Sequence, residues 1–143
     1  MKFENYMILE FPSKSTNEGF ARSAVAAFAA QMDPTLEELG DIRTAVSEAV
    51  TNCIVHAYPN GYGLITMRCR ILKDGVLDIV VKDKGVGIAD LEQAKRPAFT
   101  TGGSERSGMG FTIMESFMSD FSVSSAVGKG TTVHMRRRIQ RKK

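Results

Sequence analysis

Residues 46–58 read VSEAVTNCIVHAY, and the placing of the polar residues in this stretch decides how the chain folds. Glu48, Asn52 and His56 recur every four residues, which puts them in one row along a helix. At 100° per residue, Asn52 lies about 40° and His56 about 80° from Glu48, while Ile42, Ala49, Val50, Cys53 and Ala57 lie between about 100° and 200°. One side of the helix is therefore expected to pack on a sheet, and another to offer a carboxylate and an amide. The neighbours on that second side, Ala45, Thr51 and Val55, carry no charge, so something other than water is expected to cover it.

Working outward, Asp33-Pro34 breaks the chain before this helix, and Thr35 with Glu38 forms a capping box at its start. The helix is expected to run to about Tyr58 and to stop at Pro59-Asn60-Gly61. Upstream, Met7, Leu9 and Phe11 alternate in a strand over residues 5–11. Ser15 and Glu18 suggest another capping box, opening a helix to about Met32 whose inner stripe is Phe20, Ala24, Ala27 and Phe28. Downstream the period becomes two. Ile65, Met67, Cys69 and Ile71 alternate, Asp74-Gly75 turns, and Leu77, Ile79 and Val81 alternate again. A further helix is expected from Gly108 to about Met118, and a last hairpin pairs 121–126 with 132–138 across Gly128-Lys129-Gly130. Strands joined mostly by hairpins predict one α+β domain over 1–143: a two-layer sandwich with a mostly antiparallel, mixed sheet and helices on one face.

Composition narrows the function classes. With 143 residues and 43% hydrophobic content the chain can close one core, and no apolar run approaches the roughly 20 residues of a membrane span. The N-terminus has no secretory pattern, so a cytoplasmic location is expected. Cys53 and Cys69 sit on regular elements without a CxxC or Cys/His cluster, and they read as reduced packing residues. Residues 136–143 (RRRIQRKK) hold six of the 19 basic side chains, leaving 13 basic against 16 acidic over the first 135 residues. The basicity reads as a frayed terminal tail and not as a surface for DNA.

Three short motifs carry chemistry. The first is the Glu48/Asn52 row. The second is Asp83-Lys84-Gly85-Val86-Gly87, placed directly after an apolar strand: an aspartate there can accept from an exocyclic amine, and the glycines let a flat ligand approach. The third is Arg106-Ser107-Gly108-Met109-Gly110-Phe111 at a helix start, where unpaired N–H groups and the helix dipole favour phosphate. Other nucleotide motifs are excluded. No GxxxxGK[ST] occurs, Gly108 and Gly110 lack the third glycine and βαβ setting of a dinucleotide site, and HRD and DFG are missing.

In this order and spacing the motifs resemble the histidine-kinase-like (Bergerat-fold) ATPases shared by gyrase, the large heat-shock chaperone and histidine kinases. The likeness is nearest to the anti-sigma factor serine kinases, on EGFARSAVAAF (18–28), VSEAVTNCIVHAY (46–58), DKGVGI (83–88), FTT (99–101), ERSGMGFTIMESFM (105–118) and GKGTTV (128–133). It implies ATP and Mg²⁺ as cofactors, with Asn52 on Mg²⁺, Asp83 on the adenine amine, Gly85 and Gly87 flanking the base and Thr131 supporting it. A lid from Phe99 to Ser107, with Thr100 and Thr101, would close over phosphates held by Ser107, Gly108, Met109, Gly110 and Phe111. Glu48 would be the base for a serine hydroxyl, and Arg106 would touch the γ-phosphate. The chain has only two histidines, His56 and His134, both within these elements, so a phosphoryl acceptor would be another protein. The implied partners are a sigma factor, held in part through Arg22, an anti-anti-sigma protein as substrate, and a second copy of the chain bound through strand 5–11. Sporulation is the expected pathway. A nucleotide-gated binding protein without transfer, or a switch for a general-stress sigma factor, is the alternative.

Overall fold

The computed structural model describes residues 3–89 and 110–139. Within them run β1 (Phe3–Pro12), α1 (Thr16–Ala29), α2 (Leu36–Asn52), β2 (Leu64–Leu72), β3 (Val76–Asp83), α3 (Gly110–Phe117), β4 (Asp120–Ala126) and β5 (Gly130–Arg138). The five strands form one sheet in the order β1-β2-β3-β5-β4. All four pairings are antiparallel, so the sheet is more uniform than the mixed one expected.

The period-two pattern fixes which face meets the helices. Met7, Cys69, Ile79, Met135 and Phe121 are aligned across the five strands, and Leu9, Met67, Val81, Val133 and Val123 make a second such row. Most of these side chains are buried with Ala21, Val25 and Phe28 of α1, Ile42, Val46, Ala49 and Val50 of α2, and Phe111 and Met114 of α3. A slip of one residue would turn every one of them to the other face. Helix α2 packs against both α1 and α3, so it is the middle element of the helical layer.

The Thr35–Glu38 capping box forms, each side chain bonding the other residue's backbone N–H. The one expected at Ser15 does not. Ser15 has helical backbone angles and its side chain caps nothing; Glu18 accepts from Ser47 Oγ at 2.8 Å and pairs with Arg22 at 3.6 Å instead. The inner stripe of α1 is also rotated from the expected one: Ala21, Val25, Phe28 and Ala29 are buried, while Phe20 is 53% exposed. So many alanines make several stripes of α1 almost equally apolar, and periodicity alone does not choose between them. Phe20 meets Phe11 edge-on, with ring centroids 6.4 Å apart.

The opposite face of the sheet carries no helix, and a single carboxylate organises its charge. Asp78 on β3 lies between Arg70 and Arg136 in the strand register and is fully buried. It accepts from Arg70 at 3.1 Å, from Arg136 at 2.9 Å and from the His134 ring, with Arg68 at 3.7 Å. Burial alone would raise its pKa, but the bonds and charge of His134, Arg136 and Arg70 outweigh this and hold it below the ordinary value.

These contacts revise the basic tail. Arg136, Arg137 and Arg138 belong to β5, Arg137 pairs with Asp41 at 2.8 Å, and Ile139 is buried. Their guanidinium groups are held by acids elsewhere in the fold, which is why they do not fray. Residues 140–143 lie outside the described residues.

Replacing Asp78 by Ala leaves three arginines crowded without their anion and is expected to cost about 3–5 kcal/mol in urea unfolding. Because the folded-state pKa is lowered, this stabilisation is present above the unfolded value of about 3.9. It fades as pH falls through the folded value, so the gap in stability between wild type and Asp78→Asn should close on acidification.

Candidate functional site

The site begins where α2 changes its winding. After Asn52 the chain makes a π turn, Cys53–Ala57, before Tyr58 leaves the helix. Such turns widen the helix and are frequent at functional sites. Glu48 and Asn52 stay on the regular part and share a face, as expected. His56 lies beyond the widened turn and no longer continues their row.

Over that face sits the start of α3. A Cβ placed on Gly110 would lie 3.2 Å from Glu48 Oε1, 3.1 Å from Asn52 Nδ2 and 3.4 Å from Asn52 Oδ1. The carboxylate and the amide therefore converge beneath the first residue of a helix, whose free N–H groups favour anions. Phe111 turns its ring into the core against Phe121, so its side chain is structural.

The second half of the site forms at the end of β3. Asp83 is buried, and its Oδ1 accepts from Gly85 N at 2.9 Å and Thr131 N at 3.2 Å. Both bonds fall on one oxygen, leaving lone pairs of Oδ2 for a further donor. Burial pushes the Cys53 thiol well above its usual pKa, and the adjacent, hydrogen-bonded Asp83 carboxylate raises it further. Cys53 follows Asn52 directly, so it links the Glu48/Asn52 half to the Asp83 half.

The glycines of the turn after Asp83 have a structural reason beyond access for a ligand. A Cβ on Gly85 would come 2.1 Å from the Ala57 carbonyl oxygen, and one on Gly87 would come 2.1 Å from that of Ala126. Gly87 also has φ = 77°, a left-handed value. Val86 sits between them, donating to Ala57 O and accepting from Gly128 N, both at 2.8 Å. The turn is thus clasped between the end of α2 and the β4–β5 hairpin.

Two residues missed by sequence reasoning complete this clasp. Tyr58 Oη accepts from Lys84 N at 2.8 Å and donates to Leu64 O at 2.6 Å. Ser125 Oγ accepts from Ile88 N at 2.8 Å and contacts Thr131 Oγ1 at 2.8 Å. A tyrosine at a helix stop is a weak signal for Tyr58, and a serine in an alternating strand is none at all for Ser125. Thr100, Thr101, Arg106, Ser107, Gly108 and Met109 lie outside the described residues. Arg22 is on α1, exposed and paired with Glu18.

A family model described as the histidine kinase-like ATPase domain matches residues 11–137. The chain is 58% identical over 142 residues to the anti-sigma F factor of Caldanaerobacter subterraneus subsp. tengcongensis, covering 99% of each. The chain belongs to the anti-sigma F factor family of histidine kinase-like ATPases. As a member of that family it is also 54% identical to the anti-sigma F factor of Geobacillus kaustophilus, over 97% of this chain and 96% of that one. The relative from Clostridium acetobutylicum is 52% identical over 95% of both. Among solved structures, the RsbU and RsbW domains of Rv1364c from Mycobacterium tuberculosis share the fold, with a TM-score of 0.70 and 18% identity, covering 95% of this chain and 32% of that one. A histidine kinase domain from Erythrobacter litoralis has a TM-score of 0.60 and 20% identity, over 85% of this chain and 61% of that one.

Membership in this ATPase family identifies the site as a nucleotide site. Among the described residues no group of three or more His, Cys, Asp or Glu forms a metal cluster. An amide oxygen beside a carboxylate under a helix start nonetheless suits Mg²⁺, which takes few protein ligands and completes its shell with phosphates and water. Nor is any described helix long and apolar enough to cross a membrane.

Cys69 is also buried, and its thiol is pushed up to about 12, first by burial and then by Asp78. Neither cysteine should therefore react appreciably with a thiol reagent such as DTNB at pH 8 in the native protein. Two equivalents should react once the chain is unfolded in guanidinium.

Proposed function

We propose that this chain binds a sporulation sigma factor and uses Mg·ATP to phosphorylate a serine of an anti-anti-sigma protein. The reading is carried by one observation: Glu48 Oε1 and the Asn52 amide converge beneath Gly110 at the start of α3. A carboxylate at that point sits where a γ-phosphate on the helix start would meet an attacking hydroxyl.

In this mechanism Asp83 Oδ2 accepts from the adenine amine while Gly85 N and Thr131 N hold its other oxygen. Asn52 Oδ1 is the protein oxygen for Mg²⁺. The ion, when bound, neutralises phosphate charge and bridges phosphate oxygens. Backbone N–H groups at Ser107–Phe111 and the Arg106 guanidinium balance negative charge on the transferring group. Glu48 orients the acceptor serine and takes its proton as the hydroxyl oxygen bonds to phosphorus and ADP departs. Thr100 and Thr101 belong to the lid that excludes water. The roles of residues 100–109 rest on the family resemblance.

Arg22 contributes to binding the protein partners. A homodimer through the helix-free face of the sheet is part of the same proposal, supported by Tyr6 and Ile8, which are 55% and 54% exposed on β1. The protein works in the cytoplasm, where its sigma factor would be.

Glu48→Gln is expected to keep nucleotide and sigma-factor binding and to lose phosphoryl transfer by about 10²-fold or more. Labelled ATP, a purified anti-anti-sigma protein and the variant measure this directly, and undiminished transfer removes Glu48 from the mechanism. Asn52→Ala should weaken Mg-dependent nucleotide binding in a calorimetric titration; normal affinity there would place the metal elsewhere. A wild-type chain that binds the sigma factor but labels no acceptor is a nucleotide-gated sequestering protein.

A further inference from the structure

Helices α1 and α2 leave between them a groove of about 610 Å³, lined by Arg22, Ser23, Ala26, Gly40, Arg43, Thr44, Ser47 and Glu48. The residues from α2 recur at steps of three and four, so they form one continuous stripe that ends at Glu48. Glu48 is thus a wall shared by two compartments. It lines the groove on one side, and on the other its Oε1 lies under Gly110 beside Asn52.

The middle of the groove is built from small residues, and one of them has no reason in the fold to be small. Gly40 is in the interior of α2, where glycine is a poor helix former. A Cβ added there would meet nothing within 4 Å, and its φ is not left-handed. The open space it keeps belongs to the groove.

The charge of the groove is unbalanced in a particular way. Arg22 is held by Glu18, and the other contact of Glu18 is the Ser47 hydroxyl. Arg43 is exposed on the opposite wall and makes no ion pair with any described residue. It stands one helical turn and a residue before Glu48 along the same stripe. A guanidinium so placed would meet an acidic side chain of a segment whose hydroxyl reaches Glu48.

We propose that the α1/α2 groove docks the serine-bearing segment of the phosphoacceptor protein, with Arg43 as a positioning residue that pairs with an acidic side chain near the serine. This deepens the kinase reading above and rests on it. The groove brings the acceptor to Glu48 from one side and the helix start brings the phosphate from the other, so neither ligand has to pass the other.

Two variants test it, because each perturbs the groove and leaves the nucleotide half untouched. Gly40→Leu fills the groove where the fold has room for a side chain, and Arg43→Glu reverses its charge. Each is expected to raise the KM for a purified anti-anti-sigma protein about tenfold or more. The kcat at saturating acceptor and the ATP affinity should stay near wild type. Fluorescence anisotropy of the labelled acceptor reads the same loss as binding, independently of transfer. Restoration of Arg43→Glu by changing an acidic residue near the acceptor serine to Lys would identify the pair. Wild-type KM and wild-type binding in both folded variants would overturn the docking assignment while leaving the kinase standing. A wild-type chain that binds the acceptor, loses that binding in both variants, and yet transfers no phosphate would instead overturn the kinase reading alone.

Discussion

The bond from the Val86 N–H to the Ala57 carbonyl joins two elements that sequence keeps far apart. One is the end of the central helix, which carries Glu48 and Asn52; the other is the end of β3, which carries Asp83. Neither half can hold a nucleotide alone, since one offers groups for phosphate and metal and the other for a base. Their separation is set by this clasp and by the Cys53–Asp83 contact just inside it. The glycine turn can take part only because backbone approaches backbone at Gly85 and Gly87, closer than any side chain would permit. Tyr58 and Ser125 then tie the turn from either side, using its N–H groups, which makes the geometry stiff before any ligand arrives.

Much of this was legible in the residues. Strand alternation is a strong signal because the side-chain period is two and only one face is buried, and so the inner rows of β2 and β3 came out as read. The polar row at Glu48 and Asn52 was legible for the same kind of reason, at the helical period. The alanine-rich α1 was not, because a helix with many small residues has no single dominant apolar stripe. The π turn was hidden as well: nothing in CIVHA distinguishes a widened turn from a regular one, and the widening is imposed by what the turn packs on. Long-range partners such as Ser125 depend on strand register, to which a lone serine contributes nothing.

The charged end of the chain shows the same limit from the electrostatic side. A run of like charges reads as a solvated tail when considered alone. Here Arg136 and Arg137 find carboxylates from β3 and α2, Asp78 and Asp41, which lie 58 and 96 residues away. Sequence separation conceals such pairs. The buried Asp78 then makes the helix-free face an ordered, net positive surface, which matters for whichever copy or partner lies against it.

Gly40 has a consequence for how this protein trades stability against use. Within a helix, glycine is about 1 kcal/mol less favourable than alanine. No neighbour crowds the position, so nothing in the fold demands that sacrifice. The central helix, on which the whole layer rests, is therefore weaker than its surroundings would allow. A selection for thermal tolerance alone would fill the position, and the vacancy records a pressure that acts on the occupied groove.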